Sequence, residues 1–363
     1  MKRGLLVTLA LSCLLLGAMS FAQDISARPM FKALPPHSYG PVQQAEPAAQ
    51  LPQWIYTFTS SVDHKTYKPV IVGTDPSTTN TKTTVTVAII PIKMVYGPNN
   101  GNMTFDPDAP YVGNVSTTQM VLKSPMFNSY LDFNQGGTDL GKTQYGDAYQ
   151  RANFWGSVQT NTNYHLLLKT VLGPTQTINV SANQGKVISN PWGGYPTGTM
   201  EINQFDAQLH ALIRKFTKIQ PNILPLFITY NVYLTQFGGC CIGGYHSAQG
   251  IPPGAQTYSH ASILAQAPVP VFSQDIGALS HEIGEWILDP FVNNSNACGG
   301  LMENGDPLVK GPNFGTYPYK VKGFTFHPQD LVFVTYFGAP LSTSLNGWTT
   351  FQNQPEGACQ DGQ

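Results

Sequence analysis

Apolar positions change their spacing several times along the chain, and each change predicts an element. Thr83 to Tyr96 (TTVTVAIIPIKMVY) is rich in β-branched residues and bounded by Asn and Gly turn signals, which predicts a long buried strand. Trp54 to Ser60 has the same texture. His165 to Leu172 and Thr175 to Val180 predict a hairpin around Gly173-Pro174. Glu201 to Phe216 switches to helical spacing, with Ile202, Phe205, Leu209, Leu212 and Phe216 on one stripe and His210 as a surface or packing residue. An apolar strand is expected from Ile223 to Thr235. A glycine-rich segment follows from Gly238 to Gln249, with Tyr245 and His246, and then a strand from Thr257 to Leu264 holding His260. Tyr317 to Thr325, the sequence His327-Pro-Gln-Asp330 and an aromatic strand from Leu331 to Phe337 complete the C-terminal part. Phe127 to Trp155, dense in aromatics and amides, reads as core, with a saccharide or peptide cleft as the alternative.

The stretch that organises the rest is Ser273 to Asn293, SQDIGALSHEIGEWILDPFVN. At a helical turn of about 100° per residue, Glu285, Asp289 and Glu282 fall within about 100° of His281, so the reactive groups share a face. Ile276, Leu279, Ile283, Trp286 and Ile287 fall on another and form the stripe that a core-facing helix needs. Ser273 or Asp275 is expected to cap the start, and Pro290 to end the helix, because the residue before a proline is pushed out of the helical region. Gly277 and Gly284 lie on a third side, where a missing side chain admits another backbone.

A His and a carboxylate four residues apart on a helix can reach one cation, and the Glu beside the His points at a water there. His281 and Glu285 are therefore candidate ligands and Glu282 a candidate general base. After an Asn- and Gly-rich loop, Leu301-Met-Glu-Asn-Gly-Asp-Pro307 offers Glu303, ahead of Asp306, as a third ligand. The imidazole argues for zinc over calcium, while the carboxylates widen the choice to manganese or iron. Asp289 is expected to orient His281 or the loop rather than to ligate. His246 and His260 are expected to be structural, and His327 is the candidate to stabilise an oxyanion. The competing reading of the whole stretch is an amphipathic surface helix with a solvated acidic face.

Residues 1–22 read as a cleaved signal peptide, with Lys2 and Arg3 before the apolar run Leu5 to Met19 and small residues after it. Its removal takes two of the 19 basic residues and leaves a net charge of about −3. Such a balance gives no reason to propose nucleic acid as a partner, and no other stretch is apolar enough for stable membrane insertion. The expected product is secreted or periplasmic. Residues 23–53, rich in Pro, Ala and Gln, read as an exposed leader or linker, followed by a β-rich region at 54–195 and a metal-binding region at 196–363. Cys240, Cys241, Cys298 and Cys359 remain after cleavage, an even number that predicts two disulfides. Cys240 and Cys241 are each expected to pair with one of Cys298 and Cys359; a four-cysteine zinc site is the alternative, although paired CxxC units are lacking.

The blocks GGTDLG, QYGDAYQRANFW, GYHSAQ, SHEIGEWILDPFVNN and LMENGDPL resemble, over most of the mature chain, a family of exported bacterial proteins with an HExxE zincin signature. HEIGEWILDP with the following ExxD is similar, more weakly, to plant phosphate-induced, exordium-like wall proteins. The resemblance implies an α+β fold whose zincin-like half lays a twisted sheet and a backing helix against the HExxE helix, beside a β-rich N-terminal half. It implies His281 as ligand, Glu282 as general base, Glu285 in the place of a second His, and Glu303 as a downstream ligand. The expected function is a secreted zinc hydrolase acting as a monomer on a peptide or cell-wall-type substrate. The alternative is a non-catalytic extracellular or wall-associated binding protein with a structural metal site.

Overall fold

A computed structural model describes residues 30–35, 49–112, 114–191, 194–264, 275–311, 315–354, 356 and 359. The expected signal peptide and the Ser273 cap lie outside these residues. Among the described residues, one mixed sheet collects eleven strands. In chain order they are β1 (Met30–Ala33), β2 (Lys82–Tyr96), β3 (Thr104–Phe105), β4 (His165–Leu172), β5 (Gln176–Val180), β6 (Val187–Ile188), β7 (Thr197–Glu201), β8 (Ile223–Tyr230), β9 (Val232–Gln236), β10 (Gly239–Gln249) and β11 (Gln256–Ile263). The main path runs β4-β2-β8-β11-β10-β9-β7-β6; β3 and β5 also pair with β2, and β1 pairs with β10. From β4 to β11 neighbouring strands are parallel, whereas β10 is antiparallel to both β11 and β9. The architecture is mixed α+β, and the sheet joins residues on both sides of position 195.

Alternating side chains sort the core onto two faces, as a period of two requires. Val85, Val87 and Ile89 of β2 pack with Leu226 and Ile228 of β8 on one face, together with α1 (Tyr145–Asn153) and α3 (Gly277–Leu288). Ile90, Ile92 and Met94 of the same strand face the other way, with Phe227 and with Phe205 and Leu209 of α2 (Ile202–Lys215). The aromatics of α1 are core: Tyr145 and Tyr149 are buried, and their hydroxyls donate to the carbonyls of Gln329 and Val332 at 2.7 Å each. No helix among the described residues is long and apolar enough to cross a membrane.

Several expectations are corrected. β4 and β5 form no hairpin: both run parallel to β2, and the Gly173 N–H donates to the Ile89 carbonyl at 2.8 Å, so Gly173-Pro174 is a step along one edge and not a reversal. The run from Ile223 to Thr235 divides at Asn231, whose φ of +49° ends β8 and sends β9 to different partners. Gly238 to Gln249 is mostly strand, and Leu331 to Phe337 is mostly turn. Phe333 and Phe337 are fully buried, so aromatic content there marks burial and not extension. Within the expected leader, Met30–Ala33 is a docked strand. The disulfides join Cys240 to Cys241, across a cis peptide bond, and Cys298 to Cys359, whose Cα atoms lie 4.8 Å apart beside the Tyr336 carbonyl. The expected cross-pairing is therefore wrong: the first pair lies within β10, and the second ties the loop after Asp289 to the C-terminal segment.

Candidate metal centre

Helix α3 begins after Asp275, which sits at φ +42° and whose Oδ1 accepts the Ile276 N–H at 2.5 Å and the His327 N–H at 2.8 Å. It ends at Asp289 before Pro290. The expected apolar stripe is buried, and the Trp286 indole N–H donates to Thr257 Oγ1 at 3.0 Å. The opposite face is buried as well: His281 and Glu282 are 0% exposed and Glu285 1%. That burial removes the reading of a solvated acidic face. Gly284 does allow a close approach, but by the side chain of Leu331, which a Cβ at that position would meet at 2.5 Å.

Two imidazoles aim at the carboxylates of this face, and the partner of each fixes which nitrogen carries the proton. His281 Nδ1 lies 2.6 Å from Gln329 Oε1, and the Gln329 amide is oriented by its own Nε2–H donating to the Gly305 carbonyl at 2.8 Å. The proton of His281 is thus on Nδ1, and Nε2 presents a lone pair towards Glu285 Oε1 at 2.8 Å and Asp306 Oδ1 at 3.6 Å. His246, on β10, stands 3.1 Å from the Asp289 carbonyl through Nε2, an acceptor that requires a proton there. Its Nδ1 lone pair faces Glu282 Oε2 at 3.5 Å, Glu285 Oε2 at 3.6 Å and Glu303 Oε2 at 3.9 Å.

Lone pairs facing carboxylate oxygens repel unless something positive lies between them. His246 Nδ1, His281 Nε2, both oxygens of Glu282, Glu285 Oε2 and Glu303 Oε1 are buried without a hydrogen-bond partner. Each such atom costs about 1–3 kcal/mol. Together they rival the whole net stability of a domain, roughly 5–15 kcal/mol. Direct hydrogen bonds do not relieve those around His246, where 3.5 to 3.9 Å is too long, although Glu285 Oε1 at 2.8 Å from His281 Nε2 is within reach of one. A cation would. Donors about 2.0–2.2 Å from a tetrahedral zinc lie roughly 3.4 Å from one another, close to the spacings around His246 and between His281 and Asp306. Among the described residues two groups have this compactness, His246 with Glu282 and Glu285, and His281 with Glu285 and Asp306; Glu285 belongs to both.

Burial sets the protonation of the parts. It pushes the His246 imidazole down to about 3 and that of His281 to about 4, so both rings are neutral, as ligands must be. It also raises Glu282, Glu285 and Glu303 well above the ordinary carboxylate range, with neighbouring carboxylates adding to the rise. Asp306 is the least enclosed member, its side chain 42% exposed. Close contact shapes the floor: a Cβ at Gly244 would lie 2.5 Å from Glu282 Oε1, and one at Gly305 2.3 Å from His281 Nδ1. Only glycine fits at either position.

Of the expected site residues, His281, Glu282, Glu285, Glu303 and Asp306 meet in this cluster. His327 does not share a hydrogen bond or ion pair with them: its ring binds Asp275 Oδ2 at 2.7 Å, and this carboxylate raises the imidazole pKa. Asp289 holds the loop, its Oδ1 accepting the N–H groups of Asn293 and Asn294 at 2.9 and 3.1 Å. His260 is structural, bound to Thr229 Oγ1 at 3.0 Å. His246 and Gln329 were not expected here. The available signal for His246 was the pair of glycines just before it, at 243 and 244, which marks a strand that another element approaches closely. Comparison of the chain with family models, curated proteins and solved structures finds no match.

Proposed function

We propose that this chain is an exported metal-dependent hydrolase acting on peptide bonds, in which the two donor groups that share Glu285, one around His246 and one around His281, close on a single divalent cation, zinc by the chemistry of its donors, with Glu303 and Asp306 completing the set. The supporting observation is the pair of imidazole lone pairs aimed at buried carboxylates several of whose oxygens have no hydrogen-bond partner. When bound, the metal would supply Lewis-acid polarisation of the scissile carbonyl. The chain's residues supply the rest. Glu282, fully buried and without a hydrogen-bond partner, would take a proton from attacking water and pass it to the leaving nitrogen, and burial with the neighbouring carboxylates raises its pKa, which strengthens it as a base. Gln329 fixes the His281 tautomer, and Gly244 leaves room for the Glu282 carboxylate.

One observation favours a second reading, a structural metal site in an extracellular binding protein: the donors are enclosed, and structural zinc sites are closed whereas catalytic ones keep an open position. Elemental analysis of the purified mature protein, beside His246→Ala, His281→Ala and Glu282→Gln, separates the readings. The hydrolase requires about one zinc per chain, lost in both His variants and kept in Glu282→Gln, with peptide cleavage in a mass-spectrometric digest falling about 10²–10⁴-fold in the last. Zinc without turnover in the wild type would favour the structural site, and no metal after reconstitution would sink both.

A further inference from the structure

We infer that residues 30–34 are a built-in plug of the metal cleft, lying where an extended peptide substrate must lie; the inference rests on the hydrolase reading above. Strand β10 is covered on one side by β11, from Gly244 to Gln249. On its other side β9 pairs only as far as Ile242. Beyond that point a row of backbone groups is left for another strand, the arrangement that binds extended peptides by strand addition. β1 fills it in parallel, with Phe31 opposite Gly244, Lys32 opposite Tyr245 and Ala33 opposite His246. These are the β10 residues whose backbone or side chains build the cleft: Gly244 lies against Glu282, and His246 is a proposed ligand.

The side chains of the strand match the cleft as well as its backbone does. The Phe31 ring stacks on the His281 imidazole with centroids 3.4 Å apart and planes 18° from parallel. Lys32 lies near enough to Asp306 for its charge to favour the carboxylate. The Leu34 N–H donates to the His246 carbonyl at 3.3 Å, and Ser247 Oγ–H donates to the Leu34 carbonyl at 2.8 Å. Phe31 and Leu34 are 7% and 6% exposed, so two large apolar side chains anchor the strand. Two such burials set against the entropy of ordering five residues leave little net, which makes the strand exchangeable. The enclosure of the donors is then a state of the leader: when β1 leaves, the edge from Ile242 to Ser247 and the face of His281 become accessible to an extended peptide.

The test uses the full mature chain and its Phe31→Ala, Leu34→Ser double variant, read by amide hydrogen exchange. Exchange across Ile242–Ser247 should quicken about tenfold or more in the variant, while β2 and β8 keep their protection. The synthetic peptide Pro-Met-Phe-Lys-Ala-Leu-Pro, the sequence of residues 29–35, should restore the protection when added to the variant, and a scrambled peptide should not. Phe31→Leu, which keeps apolar bulk and loses the ring, serves if the double variant does not fold, with quickening of about threefold. Unchanged exchange overturns the plug, and so does quickening that the matched peptide fails to reverse. Neither readout needs zinc or turnover, so a chain that lacks metal defeats the hydrolase reading without deciding this one, and a metal-dependent peptidase with unaltered exchange defeats the plug alone.

Discussion

Tyr245 and His246 are neighbours on one strand, and they open onto opposite faces of the sheet with opposite electrostatic solutions. On the Tyr245 face a buried carboxylate, Asp206, accepts from the Tyr245 and Tyr258 hydroxyls at 2.9 and 2.7 Å and lies 3.0 Å from His210 Nε2, while His210 Nδ1 stands 3.0 Å from Gln249 Oε1. One acid is surrounded by donors. Burial raises its carboxyl, but His210 and the two hydroxyls outweigh that and hold it below the ordinary range. On the His246 face several acids and two imidazole lone pairs converge, the Gly305 N–H reaching Glu285 Oε1 at 3.3 Å while both oxygens of Glu282, Glu285 Oε2 and Glu303 Oε1 have no hydrogen-bond partner, and burial holds the glutamates high. The first cluster is complete within the chain. The second is a set of acceptors, and acceptors in excess are what a cation site is made of. A buried His-carboxylate cluster is informative only once its donors and acceptors have been assigned.

Removing the metal should have the largest effect, and its pH dependence tells the faces apart. A site loaded at a thousand times its Kd adds about 4 kcal/mol to stability. In the stripped protein Glu282, Glu285 and Glu303 have raised pKa values, so the stability they contribute is present below the ordinary value of 4.5 and is lost as pH rises through their folded values. The two histidines run the other way: lowered from 6.5 to about 3 and about 4, they cost stability as pH falls below 6.5. Above 6.5 only the carboxyl effect remains. The gap in Tm between zinc-loaded and chelator-stripped protein should therefore widen as pH rises from 6.5 towards the folded values of those carboxyls. A constant gap would mean that these carboxyls are compensated without metal.

The next largest effect should come from the complete cluster. Asp206→Asn puts an amide donor among groups that already donate, at about 1–3 kcal/mol for each one left unpaired. Thermal or denaturant unfolding should register that loss while zinc content stays at the wild-type level. Because the Asp206 pKa is lowered, the stability it supplies is present above the ordinary carboxylate value of 3.8 and is lost in acid, the reverse of the glutamates opposite. Loss of zinc in this variant would show that the two faces are coupled through β10 and are not independent.

The difference between the faces also explains what could be read from the sequence. α3 was legible because a period of 3.6 places His281 and Glu285 together and opposes them to Ile283 and Ile287, and the long strand β2 was legible from its β-branched run. β10 was not, because from Cys241 to Gln249 it is buried on both sides, and a doubly buried strand loses the alternation that marks a strand. Its glycines then look like a loop, although Gly244 is there for contact with Glu282. His246 was missed with it. Asp289 was placed correctly as a support for the loop. The turn at Leu331–Phe337 and the split at Asn231 were hidden for a related reason: uniform apolarity reports burial and says nothing of direction.

Gln329 is the residue that no spacing rule could tie to His281, and it gives the smallest and most specific test. Its side chain bridges the His281 Nδ1–H and the Gly305 carbonyl, and its backbone N–H donates to Ser280 Oγ at 2.7 Å, so the amide is held at both ends. Gln329→Leu keeps the approximate volume and removes the acceptor that pins the proton to Nδ1. The ring can then place its proton on Nε2, the nitrogen that faces Glu285. Zinc affinity should fall about 10–100-fold, the usual cost of losing the hydrogen bond behind a ligating histidine. The unfolding midpoint of the stripped protein should change much less than that affinity. Gln329→Glu, which restores an acceptor for Nδ1–H, should recover most of the lost affinity. If Leu lowered zinc binding only in proportion to stability, or if Glu failed to rescue it, His281 would be a packed histidine and Nε2 would not be a ligand.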